Sequence, residues 1–260
     1  MKTINPITSK LLIKEKVIHG FFTRNGSLDK NIKNDFNCSL NIGADLKKNS
    51  NNLEKVAKFH NLKLKNLKTT KQTHGNNVVF INDEKQDVSN VNADALITNL
   101  PNVILGIKTA DCAPVLALDN KKNIIAAIHM GWKSSFNDIL ELTIKKMTKL
   151  GSLKNNISLS IGPCIGCESY EVGEEFYKKF ILQNKNYSKC FNYKSNKYFF
   201  NLPRFIIFKA LEIGIKKELI WTSNKDTYKD NKRFFSYRRN TKKNIPDEGR
   251  MISTISIEKS

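Results

Sequence analysis

Three short segments each place a metal-binding side chain where an apolar, strand-like run meets a turn. The segments are KQTHGNNVVF, GIKTADCAPVL and AAIHMGWKS, and the side chains are His74, Cys112 and His129. Imidazole and thiolate are ligands that zinc favours, and two histidines with one cysteine form a known catalytic set. Three protein ligands leave a fourth position for water, whose pKa then falls to about 7. Because the three residues lie 38 and 17 positions apart, only the fold could assemble such a site.

Spacing alone leaves a purely structural interpretation open. In this interpretation, Cys112 and His129 are buried strand residues and His74 is a turn residue. Cys164 and Cys167 form a C-x2-C pair that could be half of a zinc site or a redox motif, but no second pair accompanies it. The glycine-rich signatures of the common nucleotide-binding loops are absent from the sequence.

The composition indicates a globular protein. Hydrophobic residues make up 40% of the 260 residues, and no run approaches the length of a membrane span or a signal peptide core, so we expect a cytoplasmic protein with no membrane partner. The net charge of +20 comes from 38 Lys and 6 Arg spread along the chain. Without an aromatic-flanked basic stripe, it predicts weak polyanion binding and no specific nucleic-acid partner.

Alternating strands and helices predict an α/β (α+β) layered fold, which we take as a single domain over residues 1–260. Short runs rich in branched residues predict strands. These are Val17–Thr23, Val78–Asn82, Val103–Thr109, Pro114–Leu118, Ile124–His129, Ile157–Ile161, Glu218–Trp221, Phe234–Tyr237 and Met251–Ile257.

Four segments predict helices. NNLEKVAKFHNL starts with Asn51 and Glu54 at capping-box spacing, and His60 near its end is expected on the helix surface. SFNDILELTIKKMTKLG carries an apolar stripe, with Ser135 and Asp138 fitting its start. VGEEFYKKFILQN and LPRFIIFKALEIG complete the set.

Eight motifs occur in the order found in one known family. They are HGFFTRNG, SLNIG, KQTHG, ADALIT, TADCAPVLALD, AAIHMGWKS, IGPCIGCESYEVG and FFSYRR…GR. From about His19 to Arg250 the chain resembles the YfiH/YlmD family, which has been described both as laccase-domain multicopper polyphenol oxidases and as purine nucleoside phosphorylases.

The resemblance implies a single α/β/β/α layered domain of the YfiH/CNF-like type, related to bacterial toxin deamidases. It implies one Zn2+ per chain, held by the catalytic residues His74, Cys112 and His129. It also implies phosphorolysis of adenosine, inosine, guanosine and methylthioadenosine, and deamination of adenosine. Purine nucleosides and phosphate would be the ligands, and the oligomeric state is not implied.

Substrate-binding residues are less clearly indicated. Arginine is scarce, so the few that remain could sit where a planar, bidentate guanidinium is needed, and Arg24 and Arg238 are candidates for binding phosphate. Surface ion pairs are an equal alternative for both. Asn41 and Gln72 are polar pocket contacts by family analogy only. Asp111, beside Cys112, is interpreted as a turn residue or as one supporting a ligand.

The chain departs from the family pattern at five positions, namely Ser27, Lys133, Ser134, Asn201 and Asp226. None is a proposed ligand, so they bear on rate and substrate preference.

Two other functions stay open. One is a metal-free cysteine hydrolase or amidase acting on cell-wall precursors, with Cys112 as nucleophile and His129 as base. The other is nonspecific polyanion binding, which predicts salt-sensitive affinity for nucleic acid and indifference to loss of His74. Copper oxidase chemistry ranks lower, because it needs several copper centres and the chain has only four histidines.

Overall fold

The computed structural model describes residues 4–13, 16–26, 36–40, 45–246 and 249–258. Within these ranges the α-helices are α1 (Leu46–Phe59), α2 (Trp132–Phe136), α3 (Ile139–Lys149), α4 (Glu174–Gln183), α5 (Leu202–Glu212) and α6 (Tyr237–Lys242). None of these helices combines the length and the apolar character that crossing a bilayer requires.

The strands of the described residues fall into three sheets. In chain order they are β1 (Val17–Phe21), β2 (Leu67–Lys68), β3 (Val78–Ile81), β4 (Ala95–Thr98), β5 (Ile104–Thr109), β6 (Ala113–Asp119), β7 (Ile124–Met130), β8 (Ile157–Ile161), β9 (Glu171–Val172), β10 (Phe191–Lys194), β11 (Lys197–Phe200), β12 (Ile220–Thr222) and β13 (Met251–Ile257). The sheet orders are β12-β8-β6-β7-β4-β3, β1-β13-β5-β2 and β10-β11-β9.

The two larger sheets pack face to face and each carries helices on its outer face. Leu105 and Ile255 of the four-stranded sheet share one core with Leu116 and Ile125 of the six-stranded sheet. All four side chains are fully buried or nearly so, as expected where apolar faces drive layer packing.

Helices cover both outer faces. Helix α1 places Val56 against Ile252 of β13 on one side. On the other, side chains of α3 and α5, such as Ile144 and Phe205, pack on the six-stranded sheet at Val115. The result is the α/β/β/α order of layers that the sequence analysis expected.

Two predicted helices have different limits. Helix α1 starts at Leu46 rather than near Asn51, because the Asp45 side chain accepts a hydrogen bond from the backbone N–H of Lys48. The segment from Ser135 forms two helices instead of one. Asp138 between them has a left-handed φ of 63°, which breaks the helical path.

The predicted strand Phe234–Tyr237 is wrong. Phe234 and Phe235 are both buried, and Ser236 caps α6 by accepting a hydrogen bond from the N–H of Arg239. Two adjacent buried aromatic residues do not follow the in–out alternation of a half-exposed strand. Strands β2, β4, β9, β10 and β11, in contrast, were missing from the prediction.

His60 is not on the surface, as was expected of it. Its ring is 1% exposed, with Nδ1 2.7 Å from Ser256 Oγ and Nε2 2.7 Å from Thr254 Oγ1. Burial is the main reason why its pKa falls to about 3. The ring therefore stays neutral and fastens the end of α1 to β13.

Candidate metal centre

The sheet register brings the three predicted ligands to one end of the six-stranded sheet. Cys112 directly precedes β6, and His129 lies near the end of the antiparallel strand β7, where it pairs with Pro114. His74 lies in the turn before β3, and β3 runs parallel to β4, which itself pairs with β7. Residues far apart in sequence thus meet because four neighbouring strands begin or end here.

The ligand atoms of His74, Cys112 and His129 all lie within 4.8 Å of one another. Cys112 Sγ is 3.6 Å from His74 Nε2. Ligands at zinc bond lengths of about 2.3 Å for sulfur and 2.0–2.1 Å for nitrogen are about 3.6 Å apart in a tetrahedron. The Cys112–His74 separation therefore fits a tetrahedral metal ion, and the three donors are of the types that zinc binds.

Asp94, which the sequence analysis did not single out, orients both histidines. Its Oδ1 lies 2.7 Å from His129 Nδ1 and accepts a hydrogen bond from the backbone N–H of His74. Its Oδ2 accepts hydrogen bonds from Thr73 and from the N–H of Gly75. The carboxylate thereby holds His74 at a left-handed φ of 58° and leaves His129 Nε2 directed toward the other ligands.

Charges in this group shift one another's pKa values. Burial raises the pKa of the Cys112 thiol, but the charge and hydrogen bond of His129 outweigh it, and the net pKa is lowered. Burial likewise opposes a charge on His129, but the Cys112 thiolate and Asp94 together raise the pKa of the ring. A thiolate at Cys112 is the form needed for both metal binding and nucleophilic attack.

Gly131 lies against two of the ligands. A Cβ at this position would come 2.9 Å from His74 Cδ2 and 3.0 Å from Cys112 Sγ. Ser134 fixes the same turn, since its Oγ accepts from the N–H of Gly131 and donates to the carbonyl of His129. Ser134 therefore caps the first turn of α2.

Asp111 links the Cys112 turn to the C-terminal part of the chain. Its Oδ1 accepts a hydrogen bond from Thr227, and its Oδ2 accepts from the Ser236 hydroxyl and from the backbone N–H of Arg238. Despite these bonds, burial raises the pKa of the carboxyl group. Asp111 thus joins the turn before β6 to the segment around α6, and its role in supporting a ligand stays a prediction.

The ligand group opens into a cavity of about 560 Å³. Its lining comprises Ser39, Thr70, Lys71, Gln72, His74, Lys108, Thr109, Ala110, Asp111, Cys112, His129, Gly131, Trp132, Ile165, Tyr170, Leu202, Tyr237, Arg238 and Arg250. The cavity is within the size range of pockets that bind small molecules.

The structure brings only some of the predicted substrate residues into this cavity. Gln72 and Arg238 line it. Arg24 lies outside this lining, where its guanidinium packs on Phe235 and donates to the carbonyl of Asn231. Asn41 lies outside the described residues, as does Ser27.

Both pocket residues already have protein partners. The Gln72 amide exchanges two hydrogen bonds with the backbone of Lys108, at 2.7 and 2.8 Å. Arg238 lies over the ring of Tyr170 and donates to the carbonyl of Glu171. The Glu171 carboxylate pairs with Lys197 instead of entering the cavity.

Sequence reasoning missed several cavity residues, among them Lys71, Lys108 and Trp132. Their only signal was proximity to the ligands in the chain. Cys164 and Cys167 are free thiols, and burial raises the pKa of both. Among the described residues, only His74, Cys112 and His129 form a cluster suited to a metal ion.

Residues 18–258 match the family model described as multi-copper polyphenol oxidoreductase laccase. The chain belongs to this family. Members of the family with similar sequences carry other names. The chain is 37% identical over 189 residues to purine nucleoside phosphorylase RC0672 of Rickettsia conorii, covering 72% of this chain and 76% of that protein.

Two further relatives are named as a phosphorylase and a deaminase. Purine nucleoside phosphorylase YfiH of Escherichia coli is 31% identical to this chain. The match covers 84% of this chain and 86% of that protein. Adenosine deaminase RL5, from an unknown prokaryotic organism, is 27% identical over 63% of this chain and 65% of its own.

Solved structures of the family share the fold. The hypothetical protein YfiH of Bacillus licheniformis superposes with a TM-score of 0.85 at 26% identity, covering 99% of this chain and 98% of that one. YlmD of Geobacillus stearothermophilus gives 0.80 at 21% identity, covering 96% and 94%. The latter comparison bears on the fold alone.

Proposed function

We propose that this protein is a cytoplasmic, zinc-dependent purine nucleoside enzyme. It would cleave adenosine, inosine, guanosine and methylthioadenosine with phosphate, and would deaminate adenosine to inosine. The observation that carries the proposal is the convergence of His74, Cys112 and His129 at a cavity large enough for a nucleoside. The names of relatives 31–37% identical to the chain support the same chemistry.

His74, Cys112 and His129 would hold the zinc ion, which when bound supplies a Lewis acid able to activate water near neutral pH. The protein's own part is to hold these donors in place. Asp94 accepts from His129 Nδ1, which keeps Nε2 free for the cleft. Burial of Asp94, which is 0% exposed, keeps water from competing for that hydrogen bond.

The small number of histidines and their contacts argue against a multicopper oxidase. The chain has four histidines, and two of them are already used elsewhere. His60 bonds two hydroxyl groups of β13, and His19 Nε2 accepts a hydrogen bond from the N–H of Ser9. The remaining two can serve one metal ion but not the several copper centres of laccase chemistry.

The cavity wall offers groups that suit a purine nucleoside. The rings of Trp132 and Tyr170 line it and can stack against a purine. Arg238, placed over the Tyr170 ring, presents a cation to the same space. We propose Arg238 and Gln72 as substrate-binding residues, and the assignments of Arg24 and Asn41 remain predictions.

Product analysis tests the proposed function. Purified protein is incubated with adenosine, with and without phosphate, and the products are separated by chromatography beside a His129→Ala variant. We expect adenine only with phosphate, inosine in either buffer, and neither from the variant. Absence of both products from zinc-loaded wild-type protein would contradict the proposal.

One observation favours a second candidate, a metal-free cysteine hydrolase. Asp94, His129 and Cys112 stand in the order of a catalytic triad, with the carboxylate on Nδ1 and the thiol within reach of the ring. In this function Cys112 would attack an amide and His129 would protonate the leaving amine. One zinc per chain, with Cys112 protected from alkylation until a chelator is added, would rule it out.

A further inference from the structure

The cavity is strongly cationic. Lys71, Lys108, Arg238 and Arg250 all line it, whereas Asp111 is the one acidic residue in its described lining. Both Asp111 oxygens already accept hydrogen bonds, so this carboxylate is occupied within the protein. Basic side chains therefore outnumber acidic ones four to one in the described lining of the cavity.

Lys108 and Arg250 lie diagonally across from each other at the same end of two neighbouring strands. Lys108 pairs with Ile252 in the β5–β13 register, which places Arg250 just before the same ladder. The Gln72 amide clamps the backbone of Lys108. The N–H of Arg250 donates to Asn37 Oδ1, and its carbonyl accepts from the N–H of Cys38. We call the surface formed by Lys71, Lys108 and Arg250 the cationic wall.

The two lysines of this wall are not neutralised by the described part of the protein. No carboxylate there lies within ion-pair distance of Lys71 or Lys108. Burial is the main reason why the pKa of Lys108 is lowered; Cys38 opposes this shift, and the charge of Arg250 adds a smaller contribution in the same direction as burial. A partly buried cation near a like charge is stabilised when an anion binds between them.

We propose that the cationic wall is a subsite for a phosphate group. An arginine offers paired N–H donors to two phosphate oxygens, and each lysine adds a point charge to the same dianion. The ligand assignment rests on the proposed function, in which phosphate is either the free co-substrate or part of the substrate. The site itself depends only on the placement of the three side chains.

Direct binding tests the subsite without turnover. Isothermal titration at constant ionic strength would measure the affinity of wild type, Lys108→Gln and Lys108→Arg for inorganic phosphate. Loss of one charged donor should weaken binding about 10- to 100-fold in Lys108→Gln, and Lys108→Arg should recover most of it. Lys55→Gln is the matched control, because Lys55 is an exposed lysine on α1, away from the cavity lining.

A second pair of titrations identifies the source of the phosphate. Adenosine 5′-monophosphate is compared with adenosine on the same variants. Lys108-dependent binding of inorganic phosphate would identify a co-substrate site. If adenosine 5′-monophosphate binds more tightly than adenosine to wild type but not to Lys108→Gln, the phosphate group belongs to the substrate. Either result supports the subsite.

Lack of any Lys108 dependence in both titrations would overturn the subsite, even if adenosine is cleaved with phosphate. The reverse outcome is also distinguishable. Lys108-dependent phosphate binding by a protein that turns over no nucleoside would leave the subsite standing and reject the proposed function.

Discussion

At the scale of single residues, the candidate site depends on Asp94 as much as on its three ligands. One carboxylate fixes His129 through its ring and His74 through its backbone. Such supporting groups set the tautomer and direction of a ligand, so their loss weakens a metal site without removing a ligand. The structure thus singles out a residue that does not itself face the metal position.

We expect Asp94→Asn to bind zinc about 10- to 100-fold more weakly than wild type. An amide keeps the shape of the carboxylate but accepts fewer hydrogen bonds and carries no charge to stabilise the ring proton of His129. Competition with a chromophoric chelator measures the affinity. Asp87→Asn is the control, because Asp87 is an exposed aspartate that caps a turn.

Equal zinc affinities of Asp94→Asn and wild type would show that the hydrogen bond to His129 is not needed to orient the ring. A circular dichroism spectrum must accompany the titration, because Asp94 also holds three backbone N–H groups of the 73–75 turn. Unchanged helix and strand signals would assign the loss to the metal site.

Residue type could predict the ligands but not their supporting groups. His74, Cys112 and His129 stand out because histidine and cysteine are scarce and bind metals. Asp94 is one of 24 aspartate and glutamate residues, and although it lies in the ADALIT motif, neither its residue type nor its spacing indicates a supporting role. Lys108 is still harder to identify among 38 lysines, because its significance comes from the cavity that it faces.

At the scale of elements, the turn from β7 into α2 brings backbone against the ligands. Gly131 and Gly173 each precede a helix with nearly the same backbone conformation, at φ and ψ of −76° and 173° and of −75° and 164°. They differ in their surroundings. A Cβ on Gly131 would meet His74 and Cys112, whereas a Cβ on Gly173 meets nothing within 4 Å.

Gly131→Ala should therefore reduce activity by about 100-fold or more, because a shift of about 1 Å at a catalytic group has that effect. Gly173→Ala should lower stability only slightly, because alanine is less favourable than glycine at a helix N-cap, and this effect is common to both positions. Steady-state assays and zinc analysis of the two variants provide the test. Similar behaviour of both would mean that α2 moves aside to accommodate the methyl group.

The elements themselves were predicted unevenly. Hydrophobic periodicity located β5, β6, β7, α3, α4 and α5, because these elements carry long apolar patterns, whereas α6 was not predicted. Strand β4, which Asp94 directly precedes, is only four residues long and was missed. The two buried phenylalanines before α6 mimic a strand because tertiary packing, rather than a ladder of hydrogen bonds, buries them.

At the scale of the whole molecule, two buried histidines couple stability to pH. The pKa values of His60 and His19 are lowered from 6.5 to about 3 and about 4, mainly by burial. Above pH 6.5 both rings are neutral in the folded and in the unfolded chain, so their full contribution to the free energy of unfolding is present. As the pH falls below that value, only the unfolded chain takes up protons, and stability is lost.

Replacing His60 with Gln should remove the part of this low-pH loss of stability that comes from His60. We expect the free energy of unfolding to fall less steeply between pH 6.5 and 4 in His60→Gln, by about 1.4 kcal/mol per pH unit. Urea unfolding at several pH values measures both slopes. Parallel curves for variant and wild type would mean that His60 becomes protonated in the folded state.

The strand order of the smaller main sheet also governs when the molecule can fold. Strand β13 lies between β1 and β5, so the first strand in the chain pairs with the last. Until β13 has been synthesised, β1 lacks the strand with which it pairs along its length, and the cationic wall lacks Arg250. Folding of this sheet must wait for residue 257, and until then an exposed strand edge needs protection from aggregation.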